Sequence, residues 1–160
     1  MKEKVAIFID VQNIYYTCRE FYGRQFNYQY FYNLIKTDDI NLIIANCYAI
    51  DRKDDKQYQF QQTLRNIGYN VKLKPYITRI DGTSKGDWDV GITIDMLDKQ
   101  TLEADRIILV CGDGDFDLLV DKLIVLGKEV DIFGVPKLTA NSLKIAASNY
   151  YPITEKYLIK

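Results

Sequence analysis

Three apolar runs in this chain stop at an aspartate. Lys4-Val5-Ala6-Ile7-Phe8-Ile9 ends at Asp10, residues 40–50 end at Asp51, and Ile107-Ile108-Leu109-Val110 leads through Cys111-Gly112 into Asp113-Gly114-Asp115-Phe116-Asp117. Short runs rich in Ile, Leu and Val, without polar alternation, suit strands buried on both faces of a parallel sheet. Stretches of helical spacing separate them, and this alternation is the mark of a right-handed α/β sheet. Ligands of such sheets bind outside the carboxyl ends of the strands, which is where these acids fall. With 160 residues and 48% hydrophobic content, the chain is long enough for one substantial core, so residues 1–160 are expected to form a single α/β domain, a three-layer sandwich around a mostly parallel sheet.

The remaining elements follow in order. Asn13 falls on the first turn after Asp10, and a helix runs from Ile14-Tyr15-Tyr16 towards Tyr22-Gly23. Residues 28–37 suggest a short helix, and 58–67 a helix closed by Gly68. Residues 70–75 alternate and end in Pro75, which cannot donate to a ladder, so this strand belongs near an edge. Residues 78–86 are polar and hold Gly82 and Gly86, the pattern of a mobile loop beside a site. Asp87-Trp88-Asp89 opens a long helix in which Asp95 sits between Ile94 and Met96. The helix dipole accounts for acids at 87 and 89 but not for Asp95. Gly112 and Gly114 let the backbone bend sharply before a helix that resumes at Leu118 and ends at Gly127. A strand over 128–134, a helix capped near Thr139 and a tail around Tyr150–Ile153 complete the chain.

Composition removes whole classes of chemistry. The chain has no His, which excludes Ser-His-Asp and Cys-His nucleophilic triads and His-ligated zinc. Cys18, Cys47 and Cys111 are odd in number and contain no CxxC pair, so neither a zinc site nor a disulfide framework is indicated. Lys and Arg total 21 against 22 Asp and Glu, so any polyanion must be held by a local patch. No run reaches membrane-spanning length, and the expected location is a reducing cytoplasm, with no membrane partner.

Catalysis therefore rests on carboxylates. Clustered acids repel one another and either stay splayed in water or collect a cation. The Asp113-Gly-Asp115-Phe-Asp117 spacing copies the start of an EF-hand loop, but Leu118 and Ile124 occupy the positions that need Gly and Glu. If the strands ending at Asp10 and Asp113 are neighbours, their acids converge, and a helix starting near Asp89 adds another. Such an edge of hard oxygen ligands is what magnesium-dependent phosphodiester hydrolysis uses.

The ordered set Phe8-Ile9-Asp10-Val11-Gln12-Asn13, Lys85-Gly86-Asp87-Trp88-Asp89-Val90 with Asp95, Cys111-Gly112-Asp113-Gly114-Asp115-Phe116 and Ser142-Leu143 resembles the NYN domain, in the LabA-like branch of the PIN-like nuclease superfamily. That resemblance implies a PIN-like fold of Rossmann-like topology and a ribonuclease dependent on Mg²⁺ or Mn²⁺. It implies an acidic site of Asp10, Asp89, Asp113 and Asp115, with Asn13 accompanying the first Asp. Asp10 and Asp113 are expected as principal ligands, and Asp89 and Asp115 as completing the site or positioning water. Asp95 and Asp117 match positions that are acidic in parts of the superfamily. RNA is the expected partner, held by Arg52, Lys53, Lys56, Arg79 and Lys85 in loops near the acidic edge, with Tyr15 as the base-stacking aromatic. Whether the chain forms a homo-oligomer stays open.

Two other enzyme classes fit less well. A haloacid-dehalogenase-like phosphatase needs a second Asp where Gln12 stands, and no GxGxxG follows the first strand as a dinucleotide-binding enzyme requires. The alternative of a different kind is an NYN-like module that binds RNA or a protein partner without cutting.

Overall fold

The computed structural model describes residues 2–75, 77–78, 84–85 and 87–160, and of residues 77, 78, 84 and 85 the backbone alone. Six strands form one all-parallel sheet: β1 (Glu3–Asp10), β2 (Ile40–Asp51), β3 (Asn70–Pro75), β6 (Arg106–Val110), β7 (Glu129–Gly134) and β8 (Asn149–Pro152), in the order β3-β2-β1-β6-β7-β8. Two further two-residue strands, β4 (Ile77–Thr78) and β5 (Ser84–Lys85), pair antiparallel.

The alternation of side chains along β1 explains why its sequence is apolar throughout. Val5, Ile7 and Ile9 enter one core with Ile14 and Cys18 of α1 (Val11–Tyr22), Phe31 of α2 (Tyr28–Ile35) and Leu64 of α3 (Asp55–Ile67). Ala6 and Phe8 enter the other, with Ile92 and Met96 of α4 (Asp89–Met96), Val120 and Leu123 of α5 (Asp117–Val125) and Leu143 of α6 (Asn141–Ala146). A strand sandwiched between two helical layers has no solvent face to fill with polar residues. The sheet is thus the middle layer of three.

From β1 the chain builds outward through β2 to β3, then returns and builds the other way from β6 to β8. The reversal falls between β1 and β6, which pair in register from Val5↔Arg106 to Ile9↔Val110. A crevice opens at such a switch point because the following helices leave on opposite faces. Asp10 and Asp113 flank it.

Several expectations shift in detail. Pro75 does end an edge strand, β3, but the tail supplies the opposite edge as β8, pairing Asp131↔Asn149 through Gly134↔Pro152. Part of the expected loop 78–86 is the β4–β5 pairing, and its other residues lie outside those described. The helix at 87–97 is eight residues long and begins at Asp89. Ala140, not Thr139, precedes α6, because the Thr139 hydroxyl donates to the Val135 carbonyl at 2.8 Å. Among the described residues, no helix is long and apolar enough to cross a membrane.

Candidate metal centre

Asp10 ends β1 and caps α1. Its Oδ1 accepts from the Asn13 backbone N–H at 3.2 Å, and its Oδ2 lies 3.6 Å from the Cys111 thiol, which donates. The carboxyl is only 6% exposed. Burial raises its pKa above the usual carboxylate range, and the charges of Asp113 and Asp87 add to the rise. Capping and site membership are therefore one geometry here, since the same oxygen that satisfies the helix end is held at the crevice.

Asn13 joins the two sides of that crevice. Its Oδ1 accepts the Gly112 N–H at 3.0 Å, which ties the first turn of α1 to the exit of β6. The glycines of this exit serve close approach. A Cβ on Gly112 would stand 2.4 Å from the Leu138 carbonyl oxygen, and one on Gly114 would stand 2.8 Å from Ala140 Cβ. Neither adopts the left-handed conformation that sharp bending would require. Asp113 then folds its Oδ1 back to the Asp115 N–H at 2.9 Å, capping a single 3-10 turn whose Phe116 is buried. Asp117 begins α5.

Asp89 arrives from the other side, on the first turn of α4. Asp87 Oδ1 accepts its N–H at 3.2 Å, and the Asp87 carbonyl accepts from Lys74 Nζ at 3.0 Å. Trp88 donates its indole N–H to the Ala49 carbonyl at 2.8 Å. These contacts seat the start of α4 on the ends of β2 and β3. One carboxylate oxygen from each of Asp89, Asp113 and Asp115 then lies within 4.8 Å of the others. Asp89 is pushed up to about 7, first by burial, then by the Asp113 charge, a hydrogen bond with the Asp113 carboxyl, and the charges of Asp87 and Asp10. Among the described residues, no Lys or Arg forms an ion pair with any of these acids.

The other expected site residues are distributed differently. Asp10 acts electrostatically on Asp89 but lies outside the three-carboxylate group. Asp117 is also outside it, at a helix start. Asp95 is directed elsewhere, accepting from Tyr48 Oη at 2.7 Å and Lys72 Nζ at 2.6 Å, which accounts for an acid in an apolar helix. Tyr15, Arg52 and Lys56 line a common cleft beside Asp10. Lys53 is exposed in the β2–α3 loop, where its N–H donates to Asp51 at 3.0 Å. Arg79 lies outside the described residues, and of Lys85 only the backbone, in β5, is described. Asp87, Lys74 and Cys111 also shape the site. The available signal for Lys74 was the alternation of β3, which places it on the same side as Lys72, facing the acids around α4.

The donor set is entirely carboxylate oxygen, a match for a hard divalent cation such as Mg²⁺ or Mn²⁺ rather than for a thiolate- or imidazole-seeking metal. The all-parallel three-layer sheet and the carboxylates gathered at its switch point agree with the PIN-like nuclease architecture that the sequence motifs imply. The NYN domain profile matches residues 4–154, and the chain belongs to that family. It is 27% identical to Low amplitude and bright protein LabA of Synechococcus elongatus over 162 residues, covering 95% of this chain and 84% of the relative. It also superposes on the crystal structure of a protein of unknown function from Vibrio parahaemolyticus, with TM-score 0.92 and 48% identity, covering 99% of this chain and 97% of that one.

Proposed function

We propose that the protein is a divalent-metal-dependent endoribonuclease. The observation that carries this reading is the Asp89, Asp113 and Asp115 group, whose oxygens crowd within 4.8 Å at the switch point of an NYN-family sheet. Holding a carboxylate partly buried and beside like charges costs free energy, and burial first, then the Asp113 charge, push Asp89 up to about 7; a cation offsets that cost. Asp89, Asp113 and Asp115 would hold Mg²⁺ or Mn²⁺. When bound, that ion supplies Lewis acidity to the scissile phosphate and favours ionisation of an attacking water.

The chain's own residues do the rest. The Asx turn at Asp113 and the anchored start of α4 fix the oxygens before substrate arrives, so little reorganisation remains at the moment of reaction. Asp10, buried and oriented by the Asn13 N–H and the Cys111 thiol, would orient the attacking water and accept its proton. Asn13 holds the crevice at a fixed width through Gly112. Arg52, Lys53, Lys56, Arg79 and Lys85 are the cations proposed to hold the phosphate backbone, Arg79 and Lys85 on sequence grounds alone.

Incubation of the purified chain with generic RNA and Mg²⁺ or Mn²⁺, beside Asp10→Asn and Asp113→Asn, tests the reading. Each substitution is expected to lower cleavage by about a hundredfold or more. Cleavage that persists in both variants would remove the assignment of these acids. No cleavage by the parent, with chelator-insensitive RNA binding, would favour the non-cutting module.

A further inference from the structure

On the face of the sheet opposite α4, α1 and α3 enclose a cleft of about 660 Å³ at the carboxyl ends of β1 and β2. It begins at Val11 and Gln12, directly after Asp10, so it adjoins the acidic crevice. Its volume suits one or two nucleotides.

The α1 wall is unusual for an exposed helix face. Gln12, Tyr15, Tyr16 and Arg19 recur at i, i+3, i+4 and i+7, alongside the stripe that buries Val11, Ile14 and Cys18. Polar side chains ordinarily fill such a face, yet Tyr15 and Tyr16 are 41% and 51% exposed. Their rings meet edge to face, 5.4 Å between centroids at 81°. Arg19 donates to the Tyr15 hydroxyl at 3.1 Å, with its guanidinium carbon 6.0 Å from the ring centroid. The aromatic corner is thus held in place and faces the cleft.

The far wall and rim add charge. Lys56 and Phe60 face the cleft from α3, and Arg52 stands at its rim. Asp54 is the acid among the lining residues, and it is occupied in capping α3, accepting from the Gln57 N–H at 2.8 Å. The Gln57 side chain locks the β2–α3 corner by accepting from the Arg52 N–H at 2.6 Å and donating to the Ile50 carbonyl at 2.7 Å. Arg19, Arg52 and Lys56 against Asp54 make the cleft locally cationic in a chain whose net charge is -1.

We propose that this cleft is a nucleotide subsite of the nuclease proposed above, in which an unpaired RNA base stacks on the Tyr15–Tyr16 corner while Arg19, Arg52 and Lys56 hold the flanking phosphates. The inference rests on that nuclease reading and specifies its substrate as single-stranded RNA. A base must leave its duplex stack to enter, so paired RNA is excluded. The strand then crosses the carboxyl edge of the sheet from the cleft over Asp10 to Asp113.

The test is fluorescence anisotropy of the full chain with a short fluorescein-labelled oligouridylate in chelator, against an abasic oligomer of the same length, a blunt RNA duplex and free UMP. Tyr16→Ala, Tyr16→Phe and Arg19→Ala are compared with the parent, with circular dichroism to verify folding. The parent is expected to bind the single strand about tenfold tighter than the abasic oligomer or the duplex. Tyr16→Ala is expected to lose that preference and Tyr16→Phe to keep it, while Arg19→Ala is expected to weaken binding of the single strand and of the abasic oligomer alike. UMP that binds as tightly as the oligomer would overturn the strand assignment in favour of a free-nucleotide site. Tyr16→Ala that binds and cleaves like the parent, with duplex cut as fast as single strand, would remove the cleft and leave the nuclease reading intact. Tyr16-dependent single-strand binding with no cleavage by the parent would remove the nuclease reading and retain the cleft.

Discussion

Asp10 and Asp131 are both buried in the same sheet, two strands apart, and their surroundings differ completely. Asp131, with no exposure, accepts from Arg106 Nη1 at 3.1 Å and from Asn149 Nδ2 at 2.9 Å, and Arg106 also reaches Glu3 at 3.3 Å. Every charge there has a countercharge. Asp10 has a backbone N–H and a thiol as donors, and the charged groups that raise its pKa are further carboxylates. A buried acid paired by the fold is structural. One surrounded by like charge is held at a cost, and the carboxyl edge of β1 and β6 is where an external cation would relieve it.

Breaking each site separates the two roles. Asp131→Ala leaves Arg106 without its buried partner and is expected to destabilise the protein by about 3 kcal/mol in urea unfolding. Asp10→Asn keeps the shape and the capping oxygen while removing a repelled charge, so its stability change is expected to stay within about 1 kcal/mol even as cleavage is lost. A reversed ranking in unfolding experiments would show that Asp10 is the structural acid.

The pH dependence of the acidic crevice sharpens the contrast. Asp89, raised to about 7, must lose its proton to bind a cation, so Mn²⁺ affinity is expected to fall by about tenfold per unit as pH drops below 7. Calorimetric titrations across pH 5–8 measure this. An affinity flat over that range would contradict the shift.

The same shift has a smaller effect on metal-free stability, with the opposite sense. A carboxyl with a raised folded-state pKa binds more protons folded than unfolded between about pH 4 and 7, so its contribution falls as pH rises through that window. Asp89→Asn removes the penalty. Because Asp89 is partly solvated, the expected gain at pH 8 is about 1 kcal/mol, or about 3 °C in Tm by calorimetry. A lower Tm would mean that the charge of Asp89 is stabilised in the metal-free protein.

The sequence carried the sheet because residues 5–9 and 107–110 are buried on both faces and show no alternation to confuse them with a half-exposed strand. Convergence of Asp10 and Asp113 then needed only that their strands be neighbours. Contacts created by folding were less accessible. Asp95 looked like a candidate ligand until β3 brought Lys72 beside it. Gly112 and Gly114 suggested a sharp bend, whereas the approach of Leu138 and Ala140 is what excludes a side chain. Cys111 carried no zinc or disulfide motif, and in the fold it is buried with its thiol orienting Asp10. Strand β8 was obscured by its brevity and by Pro152, tolerable only at an edge.

The carboxyl edge of the sheet is proposed as a cation site, and a Mn²⁺ titration followed by thermal unfolding tests it most directly, comparing the parent with Asp113→Asn. The parent Tm is expected to rise saturably with Mn²⁺, by the linkage between ligand binding and folding. Asp113→Asn is expected to start higher without metal and to show no such rise. Equal Mn²⁺-induced shifts in the two proteins would contradict the claim.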